Sequence, residues 1–184
     1  DSRRTGLKAV KTSINSSAAI NFNNSRRAGM YQNVTLKPNT TYTFSAYVNT
    51  NGVSNFSTGG VYAAFLNSNK SVLKAGNKIT FKTGIEIDGG WQRIYCTYTT
   101  GNSEENVYVA VIQENAFGTV YYDDLQLEIG DAPSTVNLLQ NATFNQGKTH
   151  WSGENFNPDT NDTDKFHTNV LTVNGSPTAY LKAF

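Results

Sequence analysis

The chain has 184 residues, with 15 lysines and arginines against 14 aspartates and glutamates and a formal net charge of +1. That length suits one domain with a sizeable core, or one domain plus a piece of another, and the balanced charge excludes a global field that would draw nucleic acid or an anionic membrane surface. Cys96 is the only cysteine, so an intramolecular disulfide is excluded, and no apolar run reaches the length of a transmembrane helix or a signal peptide.

Strand signals dominate along the chain. In "TTYTFSAYVNT" Tyr42, Phe44, Ala46 and Val48 fall on one face, with Thr43, Ser45 and Tyr47 on the other. Period two predicts a half-buried antiparallel strand, and Pro38 and Asn39 before it favour a turn. "GGVYAAFLNS", "NKITFKTG", "GWQRIYCTYTT", "ENVYVAVIQEN" and "GTVYYDDLQLE" follow. Each is short, rich in β-formers and bounded by Gly or Asn. No window carries a sustained helical stripe. The expected fold is all-β, an antiparallel β-sandwich of jelly-roll, galactose-binding-like type. Its core is expected to hold Tyr42, Phe44, Ala46, Val48, Ile94, Cys96, Val109, Val111, Leu125 and Leu127.

A repeat shows at the two ends. "TGLKAVKTSINSSAAINF" from Thr5 is similar to "TNVLTVNGSPTAYLKAF" from Thr168, with Leu7 and Val10 aligned on Val170 and Val173. A period of roughly 160 residues suits a whole domain rather than a solenoid unit. Residues 1–135 therefore read as a sandwich module lacking its first strand. Residues 136–184 read as the opening segment of a following repeat, packed on the first module or on a neighbouring chain. Leu138 and Leu139 are expected to turn back into the place of the missing strand; a strand-exchanged dimer is the other way to fill it.

The residues offer little to an enzyme. His150 and His167 lack zinc spacing. Glu104 and Glu105 are neighbours on a turn rather than facing carboxylates, and "DTNDTD" lacks the glycine and distal glutamate of an EF-hand loop. Cys96 alternates with Ile94 and Tyr98 and reads as an inert core thiol. Polarity rests on Asn, Thr and Ser, a composition shared by sugar binders and by chains merely rich in asparagine. Sugar recognition needs aromatic faces and hydrogen-bonding side chains together. Arg93, Tyr95 and Thr97 point outward if Ile94, Cys96 and Tyr98 are core. With Tyr62, Tyr108 and Gln113, Arg93 and Tyr95 form the candidate carbohydrate patch on one sheet. Trp91, after two glycines, is expected to pack.

"YQNVTLKPNTTYTFSAYV", "GWQRIYCTYTT" and "VYYDDLQLEIGDAPSTVNLLQNATF" resemble carbohydrate-binding-module-like jelly rolls of the family 4/9 type. The join "LQLEIGDAPSTVNLLQNATF" resembles tandem modules of bacterial wall-associated proteins with YD (Rhs) repeats. The resemblance implies a non-catalytic, glycan-binding module of a secreted or surface-displayed bacterial protein; the alternative is a structural spacer or adhesion module with no small ligand. It also implies a structural calcium at Asp123 and Asp124, carboxylates suited to a hard cation. Alternation puts Asp123 on the side of Leu125 and Leu127. The residue after "NATF" is Asn145, where the family usually has an acid.

Overall fold

The computed structural model describes residues 9–14, 27–80, 90–133, 138–140, 149–152, 156–159 and 170–175. All of its regular elements are strands: β1 (Val10–Ile14), β2 (Arg27–Leu36), β3 (Thr41–Leu66), β4 (Val72–Ala75), β5 (Trp91–Thr99), β6 (Glu105–Ile129), β7 (Phe156–Asp159) and β8 (Val170–Gly175). The long strands β3 and β6 pair antiparallel and bend together, so each serves two layers. The larger layer runs β5, first half of β3, second half of β6, β1, β8, β7. The smaller runs β4, second half of β3, first half of β6, β2. The layers face each other: Phe44 and Phe65, from the two halves of β3, meet edge to face with centroids 6.5 Å apart.

The bend has local causes. Ladder register shifts between Asn49 and Gly52, between Val53 and Asn55 and again between Phe56 and Gly60, as bulges do where a strand must turn. A Cβ at Gly59 would collide with the carbonyl oxygen of Glu114, so only glycine lets the two strands cross this closely. On β6, Asn115 at φ 45° and Gly118 at φ 114° take up the turn. Gln113 clasps it: its Nε2 donates to the carbonyls of Ala116 at 2.6 Å and Gly118 at 2.9 Å, and its Oε1 accepts from Thr12 Oγ1.

All ten expected core residues lie in one buried cluster, with Val107, Val61, Met30 and Leu36 completing the opposite wall. Along the first half of β3 period two sorts Tyr42, Phe44, Ala46 and Val48 onto the core face, although Thr43 and Ser45 on the other face are buried too; along the second half Val61 to Leu66 are all buried, so burial does not alternate there. The alternation of faces breaks on β6 beside Ala46. Ser45 stands opposite Gln126 and Tyr47 opposite Asp123, so Ala46 faces the two residues between them. Asp124, at φ 49°, is part of that bulge. The extra residue turns Asp123 to the outer face beside Tyr47, away from the core side occupied by Leu125, which corrects the simple alternation.

Residues between β6 and β7 join the core. Leu139 and Trp151 belong to the same buried cluster as Phe44 and Leu127. Leu138 N–H donates to the carbonyl of Leu127 at 2.5 Å, and Tyr31 and Ser152 exchange backbone hydrogen bonds of 2.9 Å at the edge of β2. β8 lies parallel to β1, Val10 opposite Leu171. The two segments that resemble one another in sequence are thus neighbours in one sheet.

Candidate functional site

The outer face of the larger layer carries the polar half of each alternating strand. Thr43, Ser45 and Tyr47 of β3 stand opposite Thr97, Tyr95 and Arg93 of β5. Arg93 is the hub. Its Nη2 donates to Ser45 Oγ at 3.0 Å and to Gln126 Oε1 at 3.1 Å, and its Nε to Ser45 Oγ at 3.3 Å. The guanidinium carbon lies 5.4 Å from the centre of the Tyr47 ring, within cation–π range. Glu128 Oε1, on a fully buried side chain, is 3.9 Å from Arg93 Nη2. A planar guanidinium can bind two acceptors and stack at once, which an ammonium cannot. Tyr95, 48% exposed, presents its ring to solvent beside this hub. One exposed aromatic ring next to a partly exposed amide and guanidinium can stack on sugar C–H faces and bond hydroxyls.

The five sequence-predicted carbohydrate residues do not form one patch. Arg93 and Tyr95 come together on β5. Tyr62 and Tyr108 belong to the outer face of the smaller layer, where Tyr62, Ala64, Leu66, Ala110 and Ile112 form a second apolar cluster with Tyr31 and Tyr108 packed on it. Tyr62 is buried, and its hydroxyl donates to Glu114 Oε2 at 3.0 Å. Gln113 is fully buried and holds the bend of β6. The physical reason is the bend itself: β6 passes from one layer to the other between Gln113 and Tyr122, so residues spaced regularly along it reach different faces.

Glu114 binds two cations, Arg27 at 2.7 Å and Lys78 at 2.8 Å. Burial alone would raise its carboxyl, but the hydrogen bonds from Lys78 and Arg27 outweigh it and hold it at about 2. Burial, then the neighbouring Glu114 carboxylate, push the Tyr62 phenol up. Burial pushes the Cys96 thiol up to about 11, which suits a packing role. Tyr98 is pushed up to about 12, chiefly by its 2.6 Å hydrogen bond to Glu105. Trp91 is 2% exposed.

At the expected calcium position, Asp123 Oδ1 accepts the Asp124 N–H at 2.8 Å. Calcium takes six to eight oxygens, and among the described residues no group of three or more His, Cys, Asp or Glu could hold a metal. The two aspartates supply part of such a set of oxygens, and Asn145 lies outside the described residues.

The family model CBM_4_9_1, described as BppA domain 1, matches residues 4–127. The chain belongs to this carbohydrate-binding-module family. No curated protein matches it. Among solved structures it is similar to the PbXyn10C CBM in its apo form, at 15% identity and TM-score 0.43 over 88% of this chain and 95% of that one. It is also similar to the CBM22-1–GH10 modules of Clostridium thermocellum xylanase 10B, complexed with xylohexaose, at 20% identity and TM-score 0.34 over 55% of this chain and 19% of that one. A third is the module CBM6cm-2 from Cellvibrio mixtus lichenase 5A, in complex with cellotriose, at 16% identity and TM-score 0.30 over 55% of this chain and 66% of that one.

Reading outward from the core missed Ser45, Tyr47, Gln126 and Glu128 as site residues. The signal for Ser45 and Tyr47 was present, because they alternate with Phe44 and Ala46. Gln126 and Glu128 alternate with Leu125 and Leu127 in the same way, but which β5 residue they meet follows from pairing alone.

Proposed function

We propose that this module binds a glycan across the outer face of the larger layer and performs no catalysis of its own. The observation that carries the reading is the exposed Tyr95 ring standing beside Arg93, whose guanidinium is already held by Ser45 and Gln126. A site whose polar groups are fixed before binding loses little conformational entropy when the ligand arrives. Family membership supports the saccharide class of ligand. The join at residues 125–144, with its likeness to tandem wall-associated modules, supports a place within a longer secreted or surface-displayed bacterial protein.

Xylohexaose and cellotriose, present in two of the similar structures, are the first probes. Calorimetric titration should show binding to at least one oligosaccharide in a glycan panel that includes them. Tyr95→Ala should weaken it by about tenfold, or about 1.4 kcal/mol, with an unchanged melting temperature. Binding that survives both Tyr95→Ala and Arg93→Ala would move the site elsewhere. A panel with no binder at all would leave the module as a structural spacer.

A further inference from the structure

A cleft of about 850 Å³ opens where β2 meets residues 138–140 and 149–152. Its size falls within the roughly 300–1,000 Å³ of small-molecule sites. Leu36, Leu127 and Trp151 give it an apolar floor. On one wall Tyr31 and Tyr108 meet edge to face, centroids 5.2 Å apart. Gln32, also in the lining, is held in place: its Nε2 donates to the Gln140 carbonyl at 2.9 Å while its Oε1 accepts the Gln140 N–H at 3.3 Å.

Lys37 and Lys70 line this cleft together with His150, and among the described residues no aspartate or glutamate does. Lys70 Nζ lies 3.2 Å from the centre of the Tyr108 ring and 5.2 Å from that of Tyr31, and donates to the Ser68 carbonyl at 3.3 Å. Among the described residues no carboxylate stands within ion-pair distance of Lys70 or Lys37. Among the described residues Arg27 and Lys78 are matched by Glu114 and Arg93 by Glu128, while Lys74, exposed on β4, has no ion pair. An ammonium held on an aromatic wall keeps donor capacity for an anion entering beside it.

We propose that this cleft is a second saccharide subsite, selective for a short glycan that bears a carboxylate, such as a uronic acid residue. The sugar ring lies against the Tyr31–Tyr108 wall and its carboxylate meets Lys70, with Lys37 adding to the positive field. The site shares no residue with the outer face of the larger layer. It rests on the reading of the chain as a glycan binder only for the saccharide part of the ligand.

The test titrates the full chain with trigalacturonate and with neutral xylotriose, following backbone amide signals by NMR. Trigalacturonate should move the signals of Lys70, Tyr108 and Ser152. It should bind about tenfold more weakly to Lys70→Gln, a difference of about 1.4 kcal/mol, and more weakly as salt is raised. Tyr95→Ala should leave it unchanged. The melting temperature of Lys70→Gln should match that of the parent. No binding of trigalacturonate, equal binding to Lys70→Gln, equal binding of xylotriose in the cleft, or loss on Tyr95→Ala would each overturn the proposal. Xylohexaose titration of Tyr95→Ala reports separately on the outer-face site, so failure of one site is distinct from failure of the other.

Discussion

Arg93 lies over Tyr47, with 5.4 Å between the guanidinium carbon and the ring centre, while the same guanidinium bonds Ser45 and Gln126. Three strands, β5, β3 and β6, are tied together at this point, and the Tyr95 ring is set beside it. Arg93→Lys keeps the charge but loses the fork and the flat stacking face. Glycan affinity should fall about tenfold or more, because charge-assisted hydrogen bonds of about 1.5–3 kcal/mol are removed. Calorimetry on the variant checks this. Full affinity in Arg93→Lys would mean that the hub does not set the binding surface.

Trp151 is 4% exposed and packs in the same cluster as Phe44, which is fully buried. Trp151→Ala should therefore destabilise the sandwich by about 3–5 kcal/mol, the range for deleting a large buried aromatic, as should Phe44→Ala. Thermal or urea unfolding of both variants makes the comparison. A Trp151 variant that melts like the parent would show that residues 149–152 contribute nothing to the core.

Glu114 makes stability depend on acid in a definite direction. Its carboxyl sits at about 2 in the folded chain against an ordinary 4.5, so the folded state binds the proton less readily than the unfolded one. The contribution is complete above about pH 4.5 and is lost as pH falls through about 2. In Glu114→Gln that component is absent. The stability difference between parent and variant should shrink over this window in urea unfolding series. A constant difference would remove the ion pairs with Arg27 and Lys78 from the account.

Cys96 is buried, with its thiol pushed up to about 11 by burial. The thiolate is the reactive form. Under native conditions at neutral pH, a thiol reagent should label the chain only as fast as it opens. In denaturant, labelling should be immediate and stoichiometric. Rapid native labelling would place Cys96 on the surface and reverse the facing of β5.

The sequence by itself determined which residues are core and which fold class they build. Alternation of apolar side chains has a direct cause in the strand pleat, so Phe44, Val48, Ile94 and Val111 were legible as one buried set, and Ser45, Arg93 and Tyr95 as outward. The tertiary structure decided how outward residues are shared among faces. β3 and β6 bend through bulges near Gly52, Gly59 and Asn115, and a bulge depends on the partner strand as well as on the residues that carry it. That is why Gln113 became a clasp inside the bend, and why Tyr62 and Tyr108 parted from Arg93 and Tyr95. It is also why Asp123 turned from the Leu125 side to the Tyr47 side. One extra residue in a ladder moves every side chain beyond it to the opposite face, and simple alternation along one strand does not record where its pairing with a neighbour takes in that residue.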